Sequence, residues 1–145
     1  MKKVVFVGIS NKCDKKAFDC STASGKIIDH IIKHLNCTCE KINYVSYAPT
    51  DLSGKLRYPT KEELHDSYQS FICHIKTLKP DLLVVCGNLV FKELKRHDFA
   101  FCKVLKIYHP SYIWVYKRSE LDHYYEETLE QIKKIILDTE KKDYS

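Results

Sequence analysis

Long apolar runs are absent from this chain of 145 residues. No stretch is long enough to cross a bilayer as a helix. The opening Met1-Lys2-Lys3-Val4-Val5-Phe6-Val7 is too short, and too soon interrupted, for a secretory signal. Glycine is scarce, with four residues in all, and none sits in a Gly-rich phosphate loop. Metal-binding and redox cysteine spacings are missing too. Seven cysteines are scattered, and the close pair Cys37-Thr38-Cys39 fits neither a zinc knuckle nor a Cys-x-x-Cys motif. They are expected as reduced, mostly buried thiols of a cytoplasmic protein. Repeats, linkers and low-complexity tracts are also lacking, so one domain over 1–145 is expected, with 139–145 as a frayed tail. What is present is a globular balance, 44% hydrophobic and 30% charged. The net charge of +5 permits a polyanionic partner without requiring one.

Apolar runs alternate with helical spacings along the chain. Residues 3–7 form a continuous apolar run closed by Gly8, as a buried parallel strand would. Stretch 25–35 has apolar residues at helical spacing, with Ser24 as its expected N-cap. Stretch 38–45 reads as a second strand. Thr60-Lys61-Glu62-Glu63 has the form of a capping box, opening a helix with Leu64, Tyr68, Phe71, Ile75 and Leu78 on one face. Lys79-Pro80 stops it. Stretches 81–86 and 104–107 are the third and fourth strands, with a short helix 89–94 between them, and a last helix covers 119–138. This pattern predicts an α/β fold, a three-layer αβα sandwich on a four-stranded parallel sheet in the order 2-1-3-4.

All four strands of such a sheet end on one edge, where ligands of open α/β sheets bind. Beyond them lie Gly8-Ile9-Ser10-Asn11, Asn43, Gly87-Asn88 and Tyr108-His109-Pro110-Ser111. Pro110 holds His109 extended at a stiff corner. Ser111, Tyr112, Ile113 and Trp114 are then expected on a surface loop. The glycines let a ligand approach the backbone, while the amide and the imidazole supply directional hydrogen bonds. The edge carries no acid, no metal cluster and no phosphate loop, so it suits a neutral planar ligand. Singly, each residue has an ordinary structural explanation: Asn43 could cap a turn and Gly8 could stop a strand. Their placement on one edge favours a site.

In this order the motifs resemble the uracil-DNA glycosylase superfamily, from Val4 to about Ile136. Gly8-Ile9-Ser10-Asn11-Lys12 resembles the family's first-strand motif, and Ser24-Gly25-Lys26-Ile27 its opening of the first long helix. Ile42-Asn43-Tyr44-Val45-Ser46-Tyr47-Ala48-Pro49 resembles the strand ending in Asn. Leu82-Leu83-Val84-Val85-Cys86-Gly87-Asn88 and His109-Pro110-Ser111 complete the series.

The resemblance implies an enzyme that flips a base out of DNA and hydrolyses its N-glycosidic bond. Asn43 would accept from uracil N3–H and donate to O4, a pattern that cytosine reverses. His109 would donate to O2, where charge builds as the base leaves. Ser10 or Asn11 would position or activate water, with Asp14 as a further choice, because the family's usual Asp, Glu or Asn is Ser10 here. Gly8, Ile9, Gly87 and Asn88 would line the base pocket. Phe18 would stack on the base, although it lies off register, with Cys20 at the family's usual position. DNA contacts would come from Lys12, Ser24, Lys55, Ser111, Tyr112, Ile113, Lys117 and Arg118. No metal and no cofactor are implied, iron–sulfur cluster included, and the partner would be uracil-containing DNA bound by a monomer. Two alternatives remain open: a DNA- or protein-binding module that has lost the water-activating residue, and an enzyme acting on a free nucleobase or nucleotide.

Overall fold

The computed structural model describes residues 2–12 and 16–143, apart from the side chains of 139–143. Asp14 lies outside the described residues. The strands are β1 (Lys3–Ser10), β2 (Thr38–Val45), β3 (Leu82–Cys86) and β4 (Lys103–Ile107). The helices are α1 (Ala23–Lys33), α2 (Lys61–Leu78), α3 (Asn88–Arg96), α4 (Pro110–Tyr116) and α5 (Leu121–Asp143). The strands form a parallel sheet in the order β2-β1-β3-β4, the order expected.

Side-chain alternation along the central strands divides the core in two. Val4 and Phe6 of β1, with Leu82 and Val84 of β3, pack under α1, α4 and α5. Val5, Val7, Leu83 and Val85 point the other way, under α2 and α3. All eight are fully buried, and each such side chain contributes about 1.5–3 kcal/mol. This double burial is why β1 and β3 read as unbroken apolar runs. The capping box of α2 forms as expected: Glu63 N–H donates to Thr60 Oγ1 at 3.1 Å and Thr60 N–H to Glu63 Oε1 at 3.0 Å. Lys79 closes that helix in the left-handed region, with φ 51°.

Several local expectations are corrected. Gly8 does not stop β1. The strand runs on to Ser10, and Gly8 pairs with Asn43 of β2. Ser24 is not the cap of α1, because Thr22 Oγ1 accepts from Gly25 N–H at 2.9 Å and the helix starts at Ala23. The surface loop expected after Pro110 is helix α4. Proline suits its first position, and the His109 side chain caps it by accepting from Ser111 N–H. As a result Ile113 faces inward and is 5% exposed, part of the core rather than a DNA contact. Helix α5 continues to Asp143, through stretch 139–143 expected as frayed. The described cysteines are less buried than expected: Cys20 and Cys73 are exposed, Cys37, Cys39 and Cys102 are half-buried, and Cys86 is buried.

Candidate functional site

The carboxyl edge of the sheet opens into a cleft of about 900 Å³. Gly8, Ile9, Ser10, Asn11, Phe18, Asn43, Gly87, Asn88 and His109 all line it. The register of β1 against β2 places Gly8 beside Asn43. A Cβ on Gly8 would lie 2.5 Å from Asn43 Oδ1 and 3.2 Å from Phe18 Cζ. The missing side chain is therefore what lets the Asn43 amide and the Phe18 ring share one floor.

Phe18 reaches this floor by a local device invisible to periodicity. Its φ is 47°, a conformation that bulky residues seldom adopt. Three contacts hold it there. Lys41 Nζ donates to Phe18 O at 3.0 Å and is itself paired with Asp29. Thr22 Oγ1 donates to Asp19 O at 2.8 Å. Gly25 lets the loop cross the start of α1, since a Cβ there would stand 1.8 Å from Asp19 O. The Phe18 ring faces His109 with centroids 5.9 Å apart.

His109 stands between β4 and α4 with φ −61° and ψ 133°, extended as Pro110 demands. Its Nδ1 accepts from Ser111 N–H at 3.1 Å and lies 2.7 Å from Ser111 Oγ. A backbone N–H can only donate, so Nδ1 carries no proton. Burial, and then the Lys12 charge, push the ring down to about 4. His109 is therefore neutral near pH 7 with its proton on Nε2. Gly87, with φ 93°, lets the chain turn beside the ring: a Cβ there would stand 3.5 Å from His109 Cβ. Tyr124 Oη holds the preceding backbone by donating to Tyr108 O at 2.6 Å.

Comparisons with known proteins identify the family. A family model described as the Uracil DNA glycosylase superfamily matches residues 1–133. The chain belongs to the uracil DNA glycosylase superfamily. No curated protein matches it significantly. Among solved structures it is similar to wild-type SMUG2 of Pedobacter heparinus, with a TM-score of 0.70 over 92% of this chain and 76% of that one. At 14% identity that likeness establishes the shared fold.

Within this glycosylase-family fold the expected DNA contacts divide. Lys12, Ser24, Ser111 and Tyr112 line the cleft; Lys55, Ile113, Lys117 and Arg118 do not. Arg118 instead lies over the Trp114 ring at 3.9 Å and donates to Trp114 O. Lys117 is 3.9 Å from Glu120. Lys55 belongs to a turn in which its N–H donates to Asp51 Oδ1. Asn88 is partly committed, since its Oδ1 accepts from Lys106 Nζ at 2.8 Å.

The sequence reading missed part of the lining: Lys16, Asp19, Thr22, Leu56, Arg57, Tyr58, Leu89, Val115 and Tyr116. Asp19 places an acid in a cleft expected to have none. Tyr112 and Tyr116 follow Tyr108 at i+4 and i+8, and successive rings lie 5.6 and 5.4 Å apart, the second pair on α4. That spacing, after a proline at the first helical position, was the available signal.

Among the described residues the cleft lining holds one imidazole and one carboxylate, His109 and Asp19, fewer ligands than a metal centre ordinarily uses. Outside the lining, His65 of α2 and Glu93 and His97 of α3 bring their ligand atoms within 4.8 Å of one another. Glu93 is 1% exposed, but Arg96 Nη1 donates to its Oε2 at 2.6 Å and His97 Nε2 lies 3.0 Å from its Oε1. His97 in turn stacks on Tyr68 at 3.9 Å. Arg96 and His97 thus satisfy Glu93 within α3 and its C-terminal cap, and the His97 ring joins this end of α3 to α2 by stacking on His65 and Tyr68. Among the described residues no helix is long and apolar enough to cross a membrane.

Proposed function

We propose that this protein is a DNA glycosylase that hydrolyses the N-glycosidic bond of uracil, or of a related damaged base, in DNA. The observation that carries the reading is the convergence of Asn43, Phe18 and a neutral His109 on one cleft at the strand ends. A flipped base would lie against the Phe18 ring and present its edge to Asn43. Asn43 Oδ1 would accept from N3–H, and its amino group would donate to O4. Hydrolysis breaks the bond between C1′ and the base, and the electron pair leaves with the base as an anion. Water supplies the oxygen that bonds C1′, and its proton passes to solvent. His109 Nε2–H would donate to O2 of the departing anion. A neutral donor is suited to this, since it stabilises the developing charge without first having to acquire a proton. No cofactor is required.

Ser10 lines the cleft and would hold the attacking water, although a hydroxyl is a weak base. Lys12 and Lys16 line the cleft as cations for phosphate. Tyr112, Val115 and Tyr116 form an apolar rim that could fill the space left by an extruded base.

A uracil-containing oligonucleotide incubated with the protein and then treated with alkali tests the reading. Strand breaks at uracil that vanish in His109→Ala are expected. If the oligonucleotide is retained but never cleaved, a binding module on the same fold is the better description. Ser10 at the water-activating position is the observation that favours that second reading.

A further inference from the structure

Asn11 stands one place beyond Ser10, which holds the position where the family resemblance calls for a water-handling residue. The hydrogen bonds of Asn11 do not fit that task. Nδ2 of Asn11 donates to Ser46 O at 2.6 Å, and Oδ1 of Asn11 accepts from Asn43 Nδ2 at 2.7 Å. The orientation of both amides follows from the first bond. A backbone carbonyl only accepts, so the atom of Asn11 that faces Ser46 must be nitrogen. The other atom of Asn11 is then oxygen, and the atom of Asn43 that faces it must be nitrogen. Asn43 Oδ1 is left on the side of Gly8.

From this relay we propose that Asn11 is a positioning residue that locks the Asn43 amide in the orientation reading uracil, and so sets the choice between uracil and cytosine. The inference rests on the reading of Asn43 as the residue that recognises the base. A half-turn of the Asn43 amide exchanges its donor and acceptor. The flipped amide would match cytosine, which offers an acceptor at N3 and a donor at N4. In the folded protein that flip sets Asn43 Oδ1 against Asn11 Oδ1, acceptor against acceptor. The anchor is main chain, at the end of β2, and cannot rotate to accommodate it. The second N–H of Asn43 Nδ2 remains available for O4, so holding the amide costs the site no base contact.

Asn11→Ala, which removes the acceptor, tests the lock. For wild type and this variant, uracil cleavage is measured as kcat/KM, and the same oligonucleotide carrying cytosine is titrated as a competitor. Asn11→Ala should lower discrimination between uracil and cytosine by about tenfold or more. A water-positioning residue would behave otherwise: kcat would fall in Asn11→Ala with discrimination unchanged, and that result overturns the proposal. Exchange of the Asn43 side-chain amide protons, followed by NMR, reads the lock without catalysis. They should exchange more slowly in wild type than in Asn11→Ala, and equal rates overturn the proposal whatever the activity. If instead Asn43→Ala leaves uracil cleavage intact, the reading of the base site has failed, even where the exchange data uphold the hydrogen bond.

Discussion

Replacing Gly8 by alanine adds a single methyl group at the point where the site is tightest. The backbone tolerates it, because Gly8 lies within β1 and is not among the glycines with positive φ. The space does not. The new Cβ would stand 2.5 Å from Asn43 Oδ1 and 3.2 and 3.3 Å from two atoms of the Phe18 ring, where ordinary contact begins at 3.4 Å. Clearing Asn43 therefore needs a shift of about 0.9 Å, from 3.4 less 2.5 Å. Little can yield. Strand β1 is paired on both sides, with β2 and β3. The Asn43 amide is held by Asn11, and the Phe18 backbone by Lys41.

Overpacking of this kind costs roughly 1–3 kcal/mol of stability, a fall of a few degrees in Tm. Displacing a substrate-reading group by about 1 Å costs on the order of a hundredfold in rate. Gly8→Ala should thus remain folded and lose about two orders of magnitude in kcat/KM on a uracil oligonucleotide. Gly54→Ala is the control: its φ of 86° strains any side chain, but nothing lies within 4 Å of the new Cβ. It should lose some stability and no activity. Wild-type kinetics in Gly8→Ala would refute the close contact of Gly8, Asn43 and Phe18 as the floor of the active site.

Four further outcomes are expected. The activity profile should show no titration near pH 6.5, and its acid limb should lie near pH 4, where His109 gains a proton. Because the folded value lies below the ordinary one, the stability linked to His109 is present in full above about pH 6.5 and declines as pH falls towards 4; denaturant melts across that range, compared with His109→Ala, would measure it. Lys41→Met removes the bond to Phe18 O, so it should raise KM for uracil DNA more than it lowers the melting temperature; an unchanged KM would show that Phe18 holds its place unaided. Lys12→Ala should weaken DNA binding at low salt and reduce the slope of log affinity against log salt by about one, whereas Lys55→Ala, outside the cleft, should leave both unchanged.

The division between sequence and tertiary structure follows the range of each physical cause. Apolar periodicity and turn chemistry are local, and they sufficed for the alternation of strands and helices, the capping box at Thr60, and the stops at Lys79-Pro80 and Gly87. Parallel strands share one carboxyl edge, so alternation alone placed Gly8, Asn43, Gly87 and His109 around one opening. The remainder needed contacts between segments distant in sequence. Phe18 looked misplaced by two residues, yet its left-handed backbone, held by Lys41 and by the close passage past Gly25, carries the ring to the floor of the cleft. Tyr112-Ile113-Trp114 looked like a loop because the stretch is short and follows a proline. Capping by His109 and packing of Ile113 on the sheet made it a helix. Asn11 reads in the sequence as a displaced water-handling residue; the fold sets its amide between Ser46 and Asn43. A sequence shows which residues can donate and accept; only the folded chain decides which donor meets which acceptor.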